Sequence, residues 1–307
     1  MDTVVRYNSD GEVISSDVIG SNDAIKYVRP PKEGSKEKIK HVRHSEDLCN
    51  KVTETLGGFY WMIYYDNRLF DGLVDNKHIA RIIYLATFLE YDTNKLVYNN
   101  TGKVNIPLTE RDIKSELSLD RRVYCDFKKE MIDNGILIFK ANGIYLSSEW
   151  FYKGEVRTSR KAIMESNGSF SRIYDGTIKQ LYKQISTRQH ITLGYLFKLL
   201  PYCDHEYNII SANPNTEYAM DNVLTKKDIA KLLGVDTEAY RKIEKQLMSF
   251  YITVNDIDYY LLGRATFETK DGSNSFYVVN PLIFNSASKK DFDKLERIWR
   301  RLLIKAK

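Results

Sequence analysis

The sequence predicts an α+β protein in which one small module, two short helices joined by a tight turn and followed by a β-hairpin, occurs twice in tandem. Three observations carry that prediction. Between Leu108 and Phe151 the apolar residues sit at helical spacing, with Leu108, Ile113 and Leu117 in one short helix and Val123, Tyr124, Phe127, Met131 and Ile132 in the next, before the period shortens to that of strands. The helix ends carry their own signals: Thr109 with Asp112 three residues on, Asp120 ahead of the second helix, and Asn134-Gly135 behind it. Finally, the stretch from Leu224 repeats the stretch from Leu108 without a gap. Leu108/Leu224, Thr109/Thr225, Asp112/Asp228, Ile113/Ile229, Leu117/Leu233, Asp120/Asp236 and Tyr124/Tyr240 are identical, where average composition gives about one or two matches by chance. Helix, turn, helix and hairpin in that order make a winged helix-turn-helix. The predicted fold class is therefore α+β, two tandem winged helix-turn-helix domains with an N-terminal basic arm and a C-terminal helix.

Taken in order, residues 1–56 form the arm, partly flexible. Arg6 to Ile14 reads as a hairpin around Asp10-Gly11. From Arg29 onward, Arg29, Lys32, Lys36, Lys38, Lys40 and Arg43 face only Glu33 and Glu37. With two prolines, this stretch reads as extended or disordered chain, either a solvated linker or an arm lying on DNA. Domain 1 spans 57–154. Phe59, Trp61, Ile63 and Tyr65 alternate as in a strand and read as core rather than as a base-stacking surface. Ile79 to Glu90 is the first helix, and Leu96 to Tyr98 a short strand. After the helix pair, Ile136 to Lys140 and Ile144 to Ser148 form the wing, turned by Ala141-Asn142-Gly143. The polar segment 155–168 is the linker. Domain 2 spans 169–288, with its first helix stopped by Pro201, Gly234 in the turn of its helix pair, and a larger wing built from Tyr251 to Val254, Tyr259 to Leu262 and Ser275 to Val279. Outside the helix pair, Ile79 onward mirrors Ile191 onward and Tyr145 to Phe151 mirrors Tyr277 to Phe284, so three segments recur in one order. Residues 289–307 form a basic amphipathic helix with Phe292, Leu295, Trp299 and Leu302 on one face, either packed on domain 2 or forming a homodimer contact.

Composition bounds the rest. A chain of 307 residues suits two domains. With 46 Lys+Arg against 41 Asp+Glu the net charge is only +5, so the placement of the cations, not their number, must argue for nucleic acid. Cys49, Cys125 and Cys203 are odd in number and scattered, as in a reduced cytoplasmic protein. No apolar leader or spanning segment is expected, and so no membrane.

The outward stripe of each second helix supplies the candidate contacts to double-stranded DNA. In domain 1 these are Arg121, Arg122, Cys125 and Lys129, with the two arginines where guanine O6 and N7 are read. Lys128, Arg111, Lys114, Lys140 and Asn142 suit phosphates. In domain 2 the equivalents are Thr237, Glu238, Arg241 and Lys245, flanked by Lys226, Lys227 and Lys242, with Lys270 at the wing tip. Catalysis is not expected. No GxxxxGK[ST] loop is present. The pair His41/His44 has no ligand cluster beside it, and His78, His190 and His205 stand alone. No cofactor, metal or catalytic residue is assigned.

The run from Leu108 to Gly154 resembles the winged-helix core of replication proteins from plasmids and phages of Gram-positive bacteria, in which the wing is followed by a Tyr-x-x-Asn-Pro-x-x-Phe-like segment. Tyr277, Asn280, Pro281 and Phe284 match that ending; Tyr145, Ser148 and Phe151 echo it, with Ser148-Glu149 in place of Asn-Pro. The resemblance covers about two thirds of the chain and implies an origin-binding replication initiator of a mobile element that recruits host replication proteins. A transcriptional repressor or activator, and a winged-helix adaptor that docks proteins, remain the alternatives.

Overall fold

A computed structural model describes residues 2–7, 13–19, 36–65, 75–98, 105–154, 168–214, 222–269 and 272–285, together with Phe292, Leu295 and Leu303. At the start of the chain, β1 (Asp2–Tyr7) and β2 (Val13–Ile19) pair antiparallel as the expected hairpin. Helix α1 (Lys36–Thr55) follows. The sequence predicts extended chain for residues 36–43, and here they are helical. The missed signal is the spacing of Val42, Ser45, Cys49, Val52 and Leu56, which repeats at three and four residues. Ser45, Cys49 and Leu56 are buried while Lys40 and Arg43 stay exposed. Residues 29–35 lie outside the described residues.

Next come β3 (Phe59–Tyr65), α2 (Asn76–Ala86), β4 (Val97–Tyr98), β5 (Ile106–Pro107), α3 (Glu110–Glu116), α4 (Arg121–Asp133), β6 (Leu137–Lys140), β7 (Gly143–Leu146) and β8 (Phe151–Tyr152). Then follow β9 (Gly168–Tyr174), α5 (Asp175–Gln184), α6 (His190–Leu199), α7 (Lys226–Leu232), α8 (Thr237–Ser249), β10 (Tyr251–Val254), β11 (Ile257–Tyr260), β12 (Leu262–Thr269) and β13 (Gly272–Val279). The protein is thus α+β, with eight α-helices and small antiparallel sheets among the described residues. It folds as two units, Gly57–Pro201 and Met1–Leu56 with Tyr202–Lys307. That division falls after α6, whereas the sequence places it at the polar segment 155–168, of which 155–167 lie outside the described residues.

Within the unit Gly57–Pro201, β3 lies between β9 and β8, with Phe59 opposite Tyr174 and Met62 opposite Phe151. Helix α2 is buried almost throughout because it packs on α6. Gly194 makes the crossing possible. A Cβ there would stand 1.9 Å from the Asn76 carbonyl oxygen, so only glycine lets the helices approach this closely.

The same packing buries His190. Its ring stacks on Tyr182 at 4.1 Å, and Nε2 donates to the Tyr182 carbonyl at 3.2 Å. Burial, reinforced by the nearby Arg81, lowers this imidazole from 6.5 to about 4. The folded chain therefore keeps His190 neutral where the unfolded chain protonates it. Between 6.5 and about 4 the unfolded state binds the extra proton, so stability falls as pH falls across that window. Urea denaturation across this range should show the slope, and His190→Gln should flatten it; an unchanged slope in the variant would assign the pH dependence elsewhere.

The unit Met1–Leu56 with Tyr202–Lys307 holds a four-stranded sheet in the order β13-β12-β1-β2. The hairpin at the start of the chain therefore extends the long β12–β13 hairpin, through pairs such as Val5 with Thr266. Among the described residues β10 and β11 pair only with each other. The sequence suggests a single large wing for all these strands, but the short hairpin is a separate insertion. Of the expected C-terminal helix, Phe292, Leu295 and Leu303 are buried; Trp299 and Leu302 lie outside the described residues.

One bonding pattern recurs in both units. Asn94 and Asn208 are buried, adopt φ of +57° and +56°, and use Nδ2 to bridge two carbonyls. Asn94 donates to Leu146 at 3.4 Å and Phe151 at 2.6 Å; Asn208 donates to Val279 at 3.3 Å and Phe284 at 2.5 Å. Asparagine suits the site because it tolerates the left-handed conformation and brings two donors to these carbonyls. Backbone bonds fix the equivalence further. Leu96 N donates to Ile144 O as Ile210 N does to Tyr277 O, and Ser147 N donates to Ile136 O as Asn280 N does to Leu261 O. Tyr277 thus corresponds to Ile144, and Asn280 to Ser147. The sequence register, which matches Tyr145 with Tyr277 and Ser148 with Asn280, is one residue out in this segment. The Ser147 hydroxyl caps Glu149 N at 3.3 Å just as the Asn280 side chain caps Leu282 N at 2.9 Å.

Candidate nucleic-acid interface

Helix α3 starts on a capping box. Thr109 Oγ1 accepts from Asp112 N at 3.2 Å, and Asp112 Oδ2 accepts from Thr109 N at 2.8 Å. Ser118, at φ +52°, turns the chain, and Asp120 caps α4 by accepting from Val123 N at 2.9 Å. Ile113, Leu117, Tyr124, Phe127 and Met131 are buried. From α2, His78 sets its ring edge-on to Phe127 at 5.3 Å and donates through Nδ1 to Glu130 on α4. With one stripe of α4 so held, the other faces solvent: Arg121, Arg122, Cys125, Asp126 and Lys129 are exposed. Ile132, expected on the apolar stripe, is exposed as well, at 42%.

Around this face, Arg111 is exposed and Lys114 half-buried. Lys140 and Asn142 are exposed at the end of the β6–β7 hairpin, with the Lys140 ammonium 4.8 Å from the centre of the Tyr145 ring.

The same local architecture rebuilds the second copy. Thr225 and Asp228 form the capping box, Gly234 at φ +69° takes the place of Ser118, and Asp236 accepts from Ala239 N at 2.7 Å. Tyr240, Leu247 and Met248 are buried. Lys227, Thr237, Glu238, Arg241, Lys242 and Lys245 are exposed, and Lys270 lies outside the described residues.

Two candidate phosphate contacts have partners inside the chain. Lys128 Nζ sits 2.8 Å from Glu110 Oε2 and 4.4 Å from the Phe139 ring centre. Lys226 Nζ sits 2.8 Å from Glu244 Oε2. Glu110 aligns with Lys226 and Lys128 with Glu244, so both copies tie their two helices by one ion pair, with the charges exchanged. In the second copy Glu244 is buried, and its Oε1 also accepts from Arg264 at 3.1 Å and Tyr277 at 2.8 Å. Sequence reasoning missed this link. Its signal is present, opposite charges at both members of two aligned positions, but only packing shows that residues 18 apart meet.

The exchange predicts its own test. Glu110→Lys alone should set two ammonium groups together and cost about 0.5 kcal/mol, and adding Lys128→Glu should restore it, because the pair is largely solvated. A double-mutant cycle by urea denaturation measures the coupling, and zero coupling would reduce the pair to coincidence.

Among the described residues, no group of three or more His, Cys, Asp or Glu is placed to hold a metal ion, and no helix is long and apolar enough to cross a membrane. Cys49 and Cys203 are buried and Cys125 is exposed. No family model, curated protein or solved structure matches the chain.

Proposed function

We propose that this chain is a non-enzymatic, sequence-specific double-stranded DNA-binding protein built on two tandem winged helix-turn-helix modules. We propose further that it serves as the origin-binding replication initiator of a phage or plasmid. One observation carries DNA binding: α4 buries Tyr124, Phe127 and Met131 and leaves Arg121, Arg122, Cys125 and Lys129 exposed, with Lys140 and Asn142 at the adjoining hairpin end. A helix with that division suits the major groove, arginines at its start suit guanine edges, and a cationic hairpin suits the flanking phosphates. The initiator role rests on the resemblance of Tyr277, Asn280, Pro281 and Phe284, with their neighbours, to the closing segment of plasmid and phage replication proteins.

Duplex binding at a series of salt concentrations tests the first part. Each phosphate contact adds about 0.9 to the slope of log affinity on log salt, so a DNA-binding protein shows a clear negative slope and a docking adaptor shows none. A plasmid lacking its own initiator tests the second part. If the gene with its flanking DNA sustains replication, the initiator role stands; if it only changes transcription from a nearby promoter, the chain is a regulator.

A further inference from the structure

The two second helices do not offer the same chemistry at their starts. Position for position, Arg121 and Arg122 of α4 correspond to Thr237 and Glu238 of α8, and Cys125 corresponds to Arg241. Glu238 is exposed, with 68% of its side chain accessible, and Arg241 Nη1 lies 3.0 Å from its Oε2. A carboxylate turned toward a phosphate backbone is repelled. On a DNA-reading face it has a use where it meets a base-edge donor, and cytosine N4 is the donor that glutamate reads in the major groove. Arginine one turn along reads the O6 and N7 acceptors of guanine. The bond between the two side chains holds the acceptor and the guanidinium fork side by side, as donor and acceptors stand side by side on the edge of a C·G pair.

We infer that Glu238 and Arg241 act as one reading unit that selects a cytosine together with the adjoining guanine in the half of the DNA site bound by the second copy. This rests on the DNA-binding reading above and adds to it the identity of the base pair. The helix itself does not need the pair. Asp236 already caps α8, and Tyr240, Leu247 and Met248 anchor it, so neither exposed side chain is required for folding. The outward positions also stay cationic without it, since Lys242 and Lys245 follow.

The experiment is selection from a library of randomised duplexes by the full chain and by three variants: Glu238→Gln, Arg241→Lys, and Arg121→Ala with Arg122→Ala. Thermal melting of each should match the parent. The parent should select a C·G pair that Arg241→Lys relaxes. At that position Glu238→Gln should lose the cytosine preference by about tenfold or more and move toward adenine, whose N6 and N7 a glutamine amide matches. The double arginine variant should change other positions and leave this one. If Glu238→Gln keeps the parental preference and only raises affinity for every sequence alike, the pair is a solvated ion pair and the inference fails while DNA binding stands. If the parent selects nothing and binds duplex without salt dependence, the functional reading fails and this inference with it.

Discussion

Glu244→Ala is expected to destabilise the second copy by about 3 kcal/mol, the low end of what breaking a buried charge pair costs. The carboxylate is 7% exposed and is the common acceptor for Lys226, Arg264 and Tyr277, at 2.8, 3.1 and 2.8 Å. These partners come from α7, β12 and β13, so one side chain ties both helices to the long hairpin. Its removal takes a shared acceptor away from three donors. Lys226, 35% exposed, can turn to water at little cost; Arg264 at 19% and the buried Tyr277 cannot. The loss therefore comes mainly from the hairpin side. Glu244→Gln keeps the shape and one acceptor oxygen and should cost about half as much, since it removes charge assistance but not every bond. Urea denaturation decides the matter. A change below about 0.5 kcal/mol for the alanine variant, the range of ordinary surface substitutions, would mean that the network contributes nothing.

Arg121→Ala with Arg122→Ala should leave stability unchanged and remove most of the sequence-specific binding that the first copy contributes. Both side chains are exposed and stand at the start of α4, where neither supports the buried stripe. Removing an arginine that reads a base edge costs about 1–3 kcal/mol of discrimination, so the two substitutions together should lower affinity for the selected site by roughly 30-fold to 25,000-fold. Binding to unrelated duplex should fall far less. Lys129→Ala provides the contrast: if it touches phosphate, it weakens all sequences alike and reduces the salt slope by about 1. Lys128 and Lys226 should behave differently from Lys129, because their charges are already engaged by Glu110 and Glu244. Competition binding with selected and scrambled duplexes separates these outcomes. A double arginine variant that keeps the parental sequence preference would place the reading surface elsewhere.

What the sequence determined by itself is local. Thr109 with Asp112, Thr225 with Asp228, Asp120 and Asp236 start their helices through bonds spanning three residues, and such bonds are legible as short motifs. The buried stripes of α4 and α8 follow from helical periodicity, and the repeat follows from comparing one half of the chain with the other. The helical state of 36–43 is hard to read because its charges, and the prolines ahead of it, outweigh a thin stripe of small, partly polar residues. Tertiary structure alone decided which cations remain available to a partner, since the Lys128–Glu110 and Lys226–Glu244 ties depend on how two helices pack. It also decided the one-residue register of the closing segment, which the bonds of Asn94 and Asn208 to carbonyls more than fifty residues away set, and the separation of the β10–β11 hairpin from the longer one. The physical reason is common to all three. Capping and periodicity act within a few residues of chain, whereas ion pairs, buried amide bridges and strand partners are chosen by proximity in space, and residue spacing does not encode that choice.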